Sequence, residues 1–248
     1  MKFNEEKHTY TRKGYEYISG TQLRDAFVPP FKKDEIAGYV AKSQDRDKDD
    51  VLSEWELKGS IACNLGDFVH KTIEGWIKFG FVNEDNPISE QMIDNFPIDK
   101  EELETESIVY NDNCKVAGTI DLIRSLSKGN VRLLDIKSNK NLKKTRGKFL
   151  EPFDDIKKNK LNKYRMQLTI YKMLYESMFA DKSVQSMSLL KWEPLEEDGL
   201  LYINWKEIKI DPIEKMEELG LEELVKRSRL KPKKLGLKKQ EVIDNLLN

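Results

Sequence analysis

Residues 131–138 read VRLLDIKS and residues 116–123 read VAGTIDLI; between them lies SKGN, a turn composition. On an extended strand alternate residues share a face, so Val131, Leu133, Asp135 and Lys137 point one way. Closing the hairpin puts Asp121 opposite Asp135 to within one residue of register. Two carboxylates and a lysine at one strand end are the minimum equipment for holding Mg²⁺ and positioning a water against a phosphodiester. The D-x-K spacing alone says little. It recurs as Asp155-Ile156-Lys157 in a basic loop, and as E-x-K at Glu207-Ile208-Lys209, on a strand with no carboxylate-bearing partner upstream beyond Asp198. Context therefore selects Asp135 and Lys137, and without further features an ordinary surface Asp/Lys pair would be the plainer reading.

Working outward, a strand over Glu106–Tyr110 precedes the hairpin across the turn-like NDN. Upstream, residues 8–18 (HTYTRKGYEYI) alternate around Lys13-Gly14 as a short hairpin. Ser19 with Gln22 has the capping-box spacing and opens a helix that Pro29-Pro30 must end. A second helix is predicted from about Lys33 to Lys42. A long one follows from about Ser53 to Phe79, with Leu65, Phe68, Val69, Ile73, Trp76 and Ile77 as its apolar stripe and Gly80 as its stop. In its segment LGDFVHKTIE, Gly66 lies one turn beneath His70, and Glu74 shares that face. A lone helical histidine is more often packed or solvated than a ligand, and His8 keeps that bland reading. After the hairpin come a basic segment, a helix from about Lys163 to Phe179, and strands at Val184–Trp192 and Leu200–Ile210. Asp211-Pro212 reads as a cap with an N1 proline opening a helical tail. This order of elements predicts an α/β or α+β chain with an antiparallel meander flanked by helices.

The 248 residues carry 43 bases against 44 acids, a net charge of -1 that argues at first against a nucleic-acid partner. The signs are segregated, however: residues 81–106 hold nine acids and one base, residues 139–165 ten bases and three acids, residues 222–240 eight bases and two acids. Such blocks set local fields that a whole-chain sum averages away. The start MKFNEEKHTY has no apolar signal core, and no run approaches the ~18 apolar residues of a membrane span. Two cysteines, Cys63 and Cys114, are read as reduced cytosolic thiols and cannot make a zinc site or a four-thiolate cluster.

The last long helix, KYRMQLTIYKMLYE, sets Tyr164, Gln167, Tyr171 and Tyr175 along one stripe. A Gly-x-x-x-His helix, then GTID, then D-I-K, then Gln-x-x-x-Tyr, in that order, resembles the PD-(D/E)XK nuclease superfamily. The branch it resembles is that of RecB-like nucleases and of lambda-type and mitochondrial genome-maintenance exonucleases. The segment YISGTQLRDAFVPPFKKDEIA is similar to the opening of phage-encoded members, and the resemblance covers about residues 15–192. It implies a restriction-endonuclease-like core: a central mixed sheet, with the nuclease domain over 1–210 and a basic tail over 211–248. It implies that Asp121 and Asp135 bind catalytic Mg²⁺, for which Mn²⁺ can substitute, with the Ile136 carbonyl and His70 as further ligands. Lys137 would contact the scissile phosphate and activate water. Gln167 and Tyr171 would position the D-I-K strand or the substrate phosphate. Glu106 matches a family acidic position only loosely, as a candidate for a second metal, with an outer-sphere or surface role as the alternative. There is no Pro-Asp pair before the hairpin, and Asp stands at 135 where many relatives have Glu; the RecB-like branch tolerates both. Iron–sulfur members need four cysteines, so two exclude that cluster.

The expected activity is that of a metal-dependent deoxyribonuclease, an exonuclease of phage recombination, replication or repair leaving 5′-phosphate ends. The alternatives are a structure-specific endonuclease and a catalytically retired DNA-binding protein. The partner is DNA, as linear duplex or single-strand ends, and phage exonucleases of this type often work with a single-strand annealing protein. Lys140, Lys143, Lys144, Arg146, Lys148 and Arg165 are the candidate phosphate track; the alternative is a solvated, disordered loop, against which Phe149, Pro152 and Phe153 suggest some ordering on DNA. Asp45, Asp47, Asp49 and Glu56 have calcium-loop spacing, but Asp50 stands where the sharp turn needs Gly. The tail reads as two short helices broken at Lys231-Pro232, similar to a SAP-type pair or else packed on the core. No phosphate-binding glycine loop or dinucleotide fingerprint is present.

Overall fold

The computed structural model describes residues 1–83, 85–139, 141–145, 147–197 and 200–236. In chain order the strands are β1 (Lys2–Asn4), β2 (Thr9–Arg12), β3 (Tyr15–Ser19), β4 (Leu103–Asn111), β5 (Val116–Ser125), β6 (Asn130–Lys137), β7 (Ser183–Glu197), β8 (Leu200–Ile210) and β9 (Lys233–Lys234). The helices are α1 (Gly20–Asp25), α2 (Lys33–Gln44), α3 (Lys48–Phe79), α4 (Pro87–Asp94), α5 (Lys160–Met178) and α6 (Glu214–Ser228). Two compact units result: Met1–Val28 with Pro97–Glu193 and Trp205–Asn248, and Pro29–Phe96 with Pro194–Asn204. Among the described residues no helix is long and apolar enough to cross a membrane.

The first unit is built on a mixed sheet in the order β1-β2-β3-β5-β6-β7-β8, with β4 against β5 and β9 against β3. The antiparallel meander β4-β5-β6 is the one the turn signals predict, and Lys128 and Gly129 close its second turn at φ of 60° and 75°. Parallel pairs flank it: β3 on β5 through Ile18–Val116, and β6 on β7 along Asn130–Lys137. One edge of β5 is thus divided. Val116 and Ala117 pair with β3, Leu122–Ser125 pair with β6, and residues 118–121 lie between the two ladders.

Helix α5 covers one face, burying Met166, Leu168, Ile170, Tyr171, Leu174 and Tyr175 against Ile120, Ile123, Val131 and Leu133. Helix α1 begins with the predicted capping box: the Ser19 hydroxyl accepts the Gln22 backbone N–H while the Gln22 side-chain Oε1 accepts the Ser19 backbone N–H. Helix α6 adds Met216, Leu221 and Leu224 to the same core. Its start differs from the sequence expectation. Asp211-Pro212 stand two residues ahead of the helix and the N-cap is Ile213, without a side-chain cap. The cause is that Arg165 claims the carbonyls of Asp211 and Pro212, while the buried Ile213 donates its N–H to Thr169 Oγ1. The helix ends at Ser228, ahead of Lys231-Pro232 as the sequence predicts, with an additional kink at Gly220 (φ 73°); the expected second SAP-type helix falls on 237–248, outside the described residues.

In the second unit α2 packs on α3 through Ala37, Ala41 and Val51. The acidic run of calcium-loop spacing is not a loop: α3 begins at Lys48, so Asp49 and Glu56 are helical, and Asp47 caps the helix. Lys33 holds Glu56 at 2.6 Å and Lys48 holds Asp34 at 2.8 Å. Helix α4, within the acidic stretch, starts from the Asn86 cap with Pro87 behind it.

Candidate active site

Strand register alone aligns three acids across the meander. Thr105 faces Leu122 and Ser107 faces Ile120, which sets Glu106 opposite Asp121. Leu122 faces Leu134, so the next position brings Asp121 opposite Asp135. Cross-strand neighbours point to the same face of a sheet, so Glu106, Asp121 and Asp135 form one row. The carboxylates of Glu106 and Asp121 offer oxygens within 4.8 Å of each other. Glu106 takes a left-handed φ of 51° inside β4, a conformation that costs a residue with a Cβ about 1 kcal/mol or more.

Just past the β5–β6 ladder, side chains take over from backbone pairing. Asp121 Oδ2 accepts the Ile136 N–H at 2.8 Å. Lys137 extends its ammonium to Asp135 Oδ2 at 2.8 Å and lies 3.6 Å from Asp121 Oδ2. It also donates to the Ile136 carbonyl at 2.9 Å and sits 5.5 Å from the centre of the Tyr164 ring. Burial by itself lowers the Lys137 pKa, but Asp135 and Asp121 more than reverse this, and the ammonium ends above the ordinary lysine range. Asp135 is only 1% exposed and is tied into α5: Gln167 Nε2 lies 3.4 Å from both Asp135 Oδ1 and the Tyr171 hydroxyl.

The GTID glycine and the Gln-x-x-x-Tyr tyrosine explain each other. A Cβ on Gly118 would stand 2.5 Å from Tyr171 Cε1, and one on Gly20 would stand 2.6 Å from the same atom. The ring lies against two glycine backbones in the gap between the β3 and β6 ladders. Burial, then Tyr10 and Asp135, push the Tyr171 hydroxyl well above the usual tyrosine range. A buried ring bonded to Gln167 is suited to holding that amide rather than reaching a phosphate.

Three residues that build this surface, Tyr164 of the aromatic stripe among them, have no site role assigned from the sequence. Arg24 NH1 donates to Gln167 Oε1 at 2.5 Å. Tyr164 donates its hydroxyl to Asn139 Oδ1. The Tyr10 hydroxyl lies 2.8 Å from Thr119 Oγ1, two residues before Asp121. The capping box places Arg24 on a short helix, but its partner is 143 positions away and no local pattern discloses it.

The other candidates fall as follows. His70 stands on α3 of the second unit, half-buried, one turn beyond Gly66; Glu74 on that helix pairs with Lys78 at 2.6 Å. Lys143, Lys144 and Lys148 are exposed, on a segment pinned by buried Leu142, Phe149 and Phe153. Leu150 N–H bonds to Phe27 O at 2.8 Å, and Phe153 packs edge-on to Phe27 at 5.1 Å. These aromatics are ordered by the protein core, which corrects the expectation that DNA orders them. Arg165 points the other way, bonded to the Asp211 and Pro212 carbonyls and to Asn162 Oδ1. Lys140 and Arg146 lie outside the described residues. Of the repeated spacings, Asp155 lies outside any strand near Lys215, and Glu207 is bonded to Arg132 and Ser188.

The donor set of the row, carboxylate and carbonyl oxygens, suits a hard cation of the Mg²⁺ type. No protein family and no curated protein matches the sequence. Among solved structures the chain is similar to the protein SSO0001, at 17% identity over 89% of this chain and 77% of that one, with a TM-score of 0.39. It is also similar to a Eubacterium rectale protein named "Putative exonuclease", at 10% identity over 96% of this chain and 91% of that one, with a TM-score of 0.41. Likenesses this distant carry no functional argument, so the chemistry stands on the row of residues itself.

Proposed function

We propose that this chain is a divalent-metal-dependent deoxyribonuclease, an exonuclease acting on the ends of linear DNA. The observation that carries the proposal is the row Glu106–Asp121–Asp135 with the Lys137 ammonium between the last two carboxylates. Asp121, Asp135 and the Ile136 carbonyl would hold Mg²⁺, with Mn²⁺ as its substitute, and Glu106 belongs beside them. His70 stays in the proposed ligand set on the strength of the sequence pattern alone. When bound, the cation would supply Lewis-acid charge against the phosphate and a more acidic water.

The chain's own groups do the rest. Lys137 hydrogen-bonds the phosphate and the attacking water, offsetting negative charge that grows as the water oxygen bonds phosphorus. The P–O3′ bond breaks, O3′ takes a proton, and a 5′-phosphate is left on the product. Gln167 and Tyr171 hold Asp135 in place. Lys143, Lys144 and Lys148 neutralise backbone phosphates next to the site, and a single-strand annealing protein is the proposed working partner. The test is incubation with linear and with covalently closed circular duplex DNA, in Mg²⁺ and in chelator. Metal-dependent loss of the linear form alone supports the reading. Cleavage of circles would replace it with an endonuclease, and retention without cleavage in either metal would replace it with a binding protein.

A further inference from the structure

We propose that Arg24, on α1, is a positioning residue that fixes the Gln167 amide and through it the buried carboxylate Asp135. The inference rests on reading this site as a metal-dependent phosphodiesterase. Three bonds settle the guanidinium. Nε and NH2 fork onto Asp25 at 2.9 and 2.7 Å, which leaves NH1 for Gln167 Oε1 at 2.5 Å. Asp25 is held in turn by Lys163 of α5 at 3.2 Å.

A glutamine amide has an acceptor end and a donor end of nearly the same shape, and its partners choose which way it faces. Here the cation takes the oxygen. The NH2 is therefore turned to the opposite side, where Asp135 Oδ1 and the Tyr171 hydroxyl both lie at 3.4 Å. Flipped, the amide would set its oxygen against a carboxylate in a site where Asp135 is almost wholly buried, and two acceptors would face each other without a proton. At 3.4 Å the donor end is held loosely, so the short Arg24 bond is the stronger determinant of the orientation. A polar chain thus runs from Lys163 through Asp25, Arg24 and Gln167 to Asp135, Lys137 and Asp121. Groups that orient metal-binding carboxylates from behind typically change metal affinity or activity by about 10–100-fold when removed.

The experiment measures Mn²⁺ affinity by titration calorimetry, and turnover on linear duplex DNA at saturating Mn²⁺, for wild type, Arg24→Met, Arg24→Lys, Gln167→Met and the Arg24→Met/Gln167→Met double variant. Thermal melts restrict the comparison to folded proteins. Arg24→Met is expected to weaken Mn²⁺ binding or turnover by about tenfold or more, with partial recovery in Arg24→Lys. In the Gln167→Met background the same replacement should add less than about twofold, because the amide it acts through is gone. Equal effects in both backgrounds would overturn the inference and make Arg24 a direct phosphate contact or a purely structural residue. If Arg24→Met fails to fold, Arg24→Lys carries the same cycle against Gln167→Met. Wild type that neither binds Mn²⁺ nor cleaves would remove the proposed function and this inference with it. Wild type that does both while the cycle is additive would remove only the inference.

Discussion

Replacing Gly118 by Ala should strike the packing that joins the GTID strand to α5. The new Cβ would meet Tyr171 Cε1 at 2.5 Å, Cδ1 at 3.1 Å and Cζ at 3.2 Å. Carbon pairs prefer about 3.5–4.0 Å, so the ring must retreat by roughly 1 Å. Gly20 already lies against the same edge, 2.6 Å from Cε1 measured from its own would-be Cβ. Overpacking a closed site costs about 1–3 kcal/mol, and alanine returns part of this because glycine is a poor strand residue by about 0.5–1 kcal/mol. A net loss of about 1 kcal/mol is expected, which for a chain of this length lowers the melting temperature by roughly 2–4 °C. Urea unfolding and thermal melts of wild type, Gly118→Ala, Tyr171→Ala and the double variant provide the assay. Tyr171→Ala alone leaves a cavity and is costly, but with the ring removed Gly118→Ala should become neutral or slightly stabilising. A Gly118→Ala protein within about 0.5 kcal/mol of wild type, or an equal penalty with and without the ring, would refute the reasoning.

Three further outcomes follow from other parts of the structure. Asp112 accepts hydrogen bonds from Lys13, Tyr17 and Arg12; Lys13 leads in holding its carboxyl below the usual range, against an opposing effect of partial burial. A depressed carboxyl contributes stability fully present above the unfolded value of about 3.9 and lost as pH falls through the folded value. Asp112→Asn should therefore cost about 1 kcal/mol at pH 7, a figure reduced for its exposure, and that difference should shrink in urea unfolding near pH 3. Arg165→Ala should lower the unfolding midpoint, since it clamps α5 to the chain entering α6, and leave the salt dependence of DNA binding unchanged. Lys143→Ala and Lys144→Ala should each reduce the slope of log K against log salt by about 0.9 on duplex DNA in filter binding, with no change in stability.

The hairpin was legible because its information is local. SKGN closes it, period-two alternation assigns its faces, and Asp121 then meets Asp135 without knowledge of the rest of the chain. The α1 cap was legible for the same reason. Glu106 was harder to place: its position in the row depends on the β4 register and on a left-handed φ that no strand propensity anticipates. Arg24 and Tyr10 reach the site through contacts more than a hundred residues long, and the parallel pairs β3–β5 and β6–β7 leave no short-range trace. Helix α4 did carry a signal, Asn86 followed by Pro87, but the surrounding acids drew attention to charge instead. The Asp211-Pro212 cap failed because a residue of another helix captured the carbonyls a helix start would have used.

The measurement that bears most directly on the account follows end-labelled linear duplex DNA over time with Mg²⁺, using wild type, Asp121→Ala, Asp135→Asn and Lys137→Ala. The account predicts progressive release of 5′-phosphorylated nucleotides from an end by wild type, arrest by chelator, and loss of at least about 100-fold in each folded variant. Undiminished cleavage by Asp121→Ala or Lys137→Ala would contradict it, because the reaction would then belong to some other set of residues.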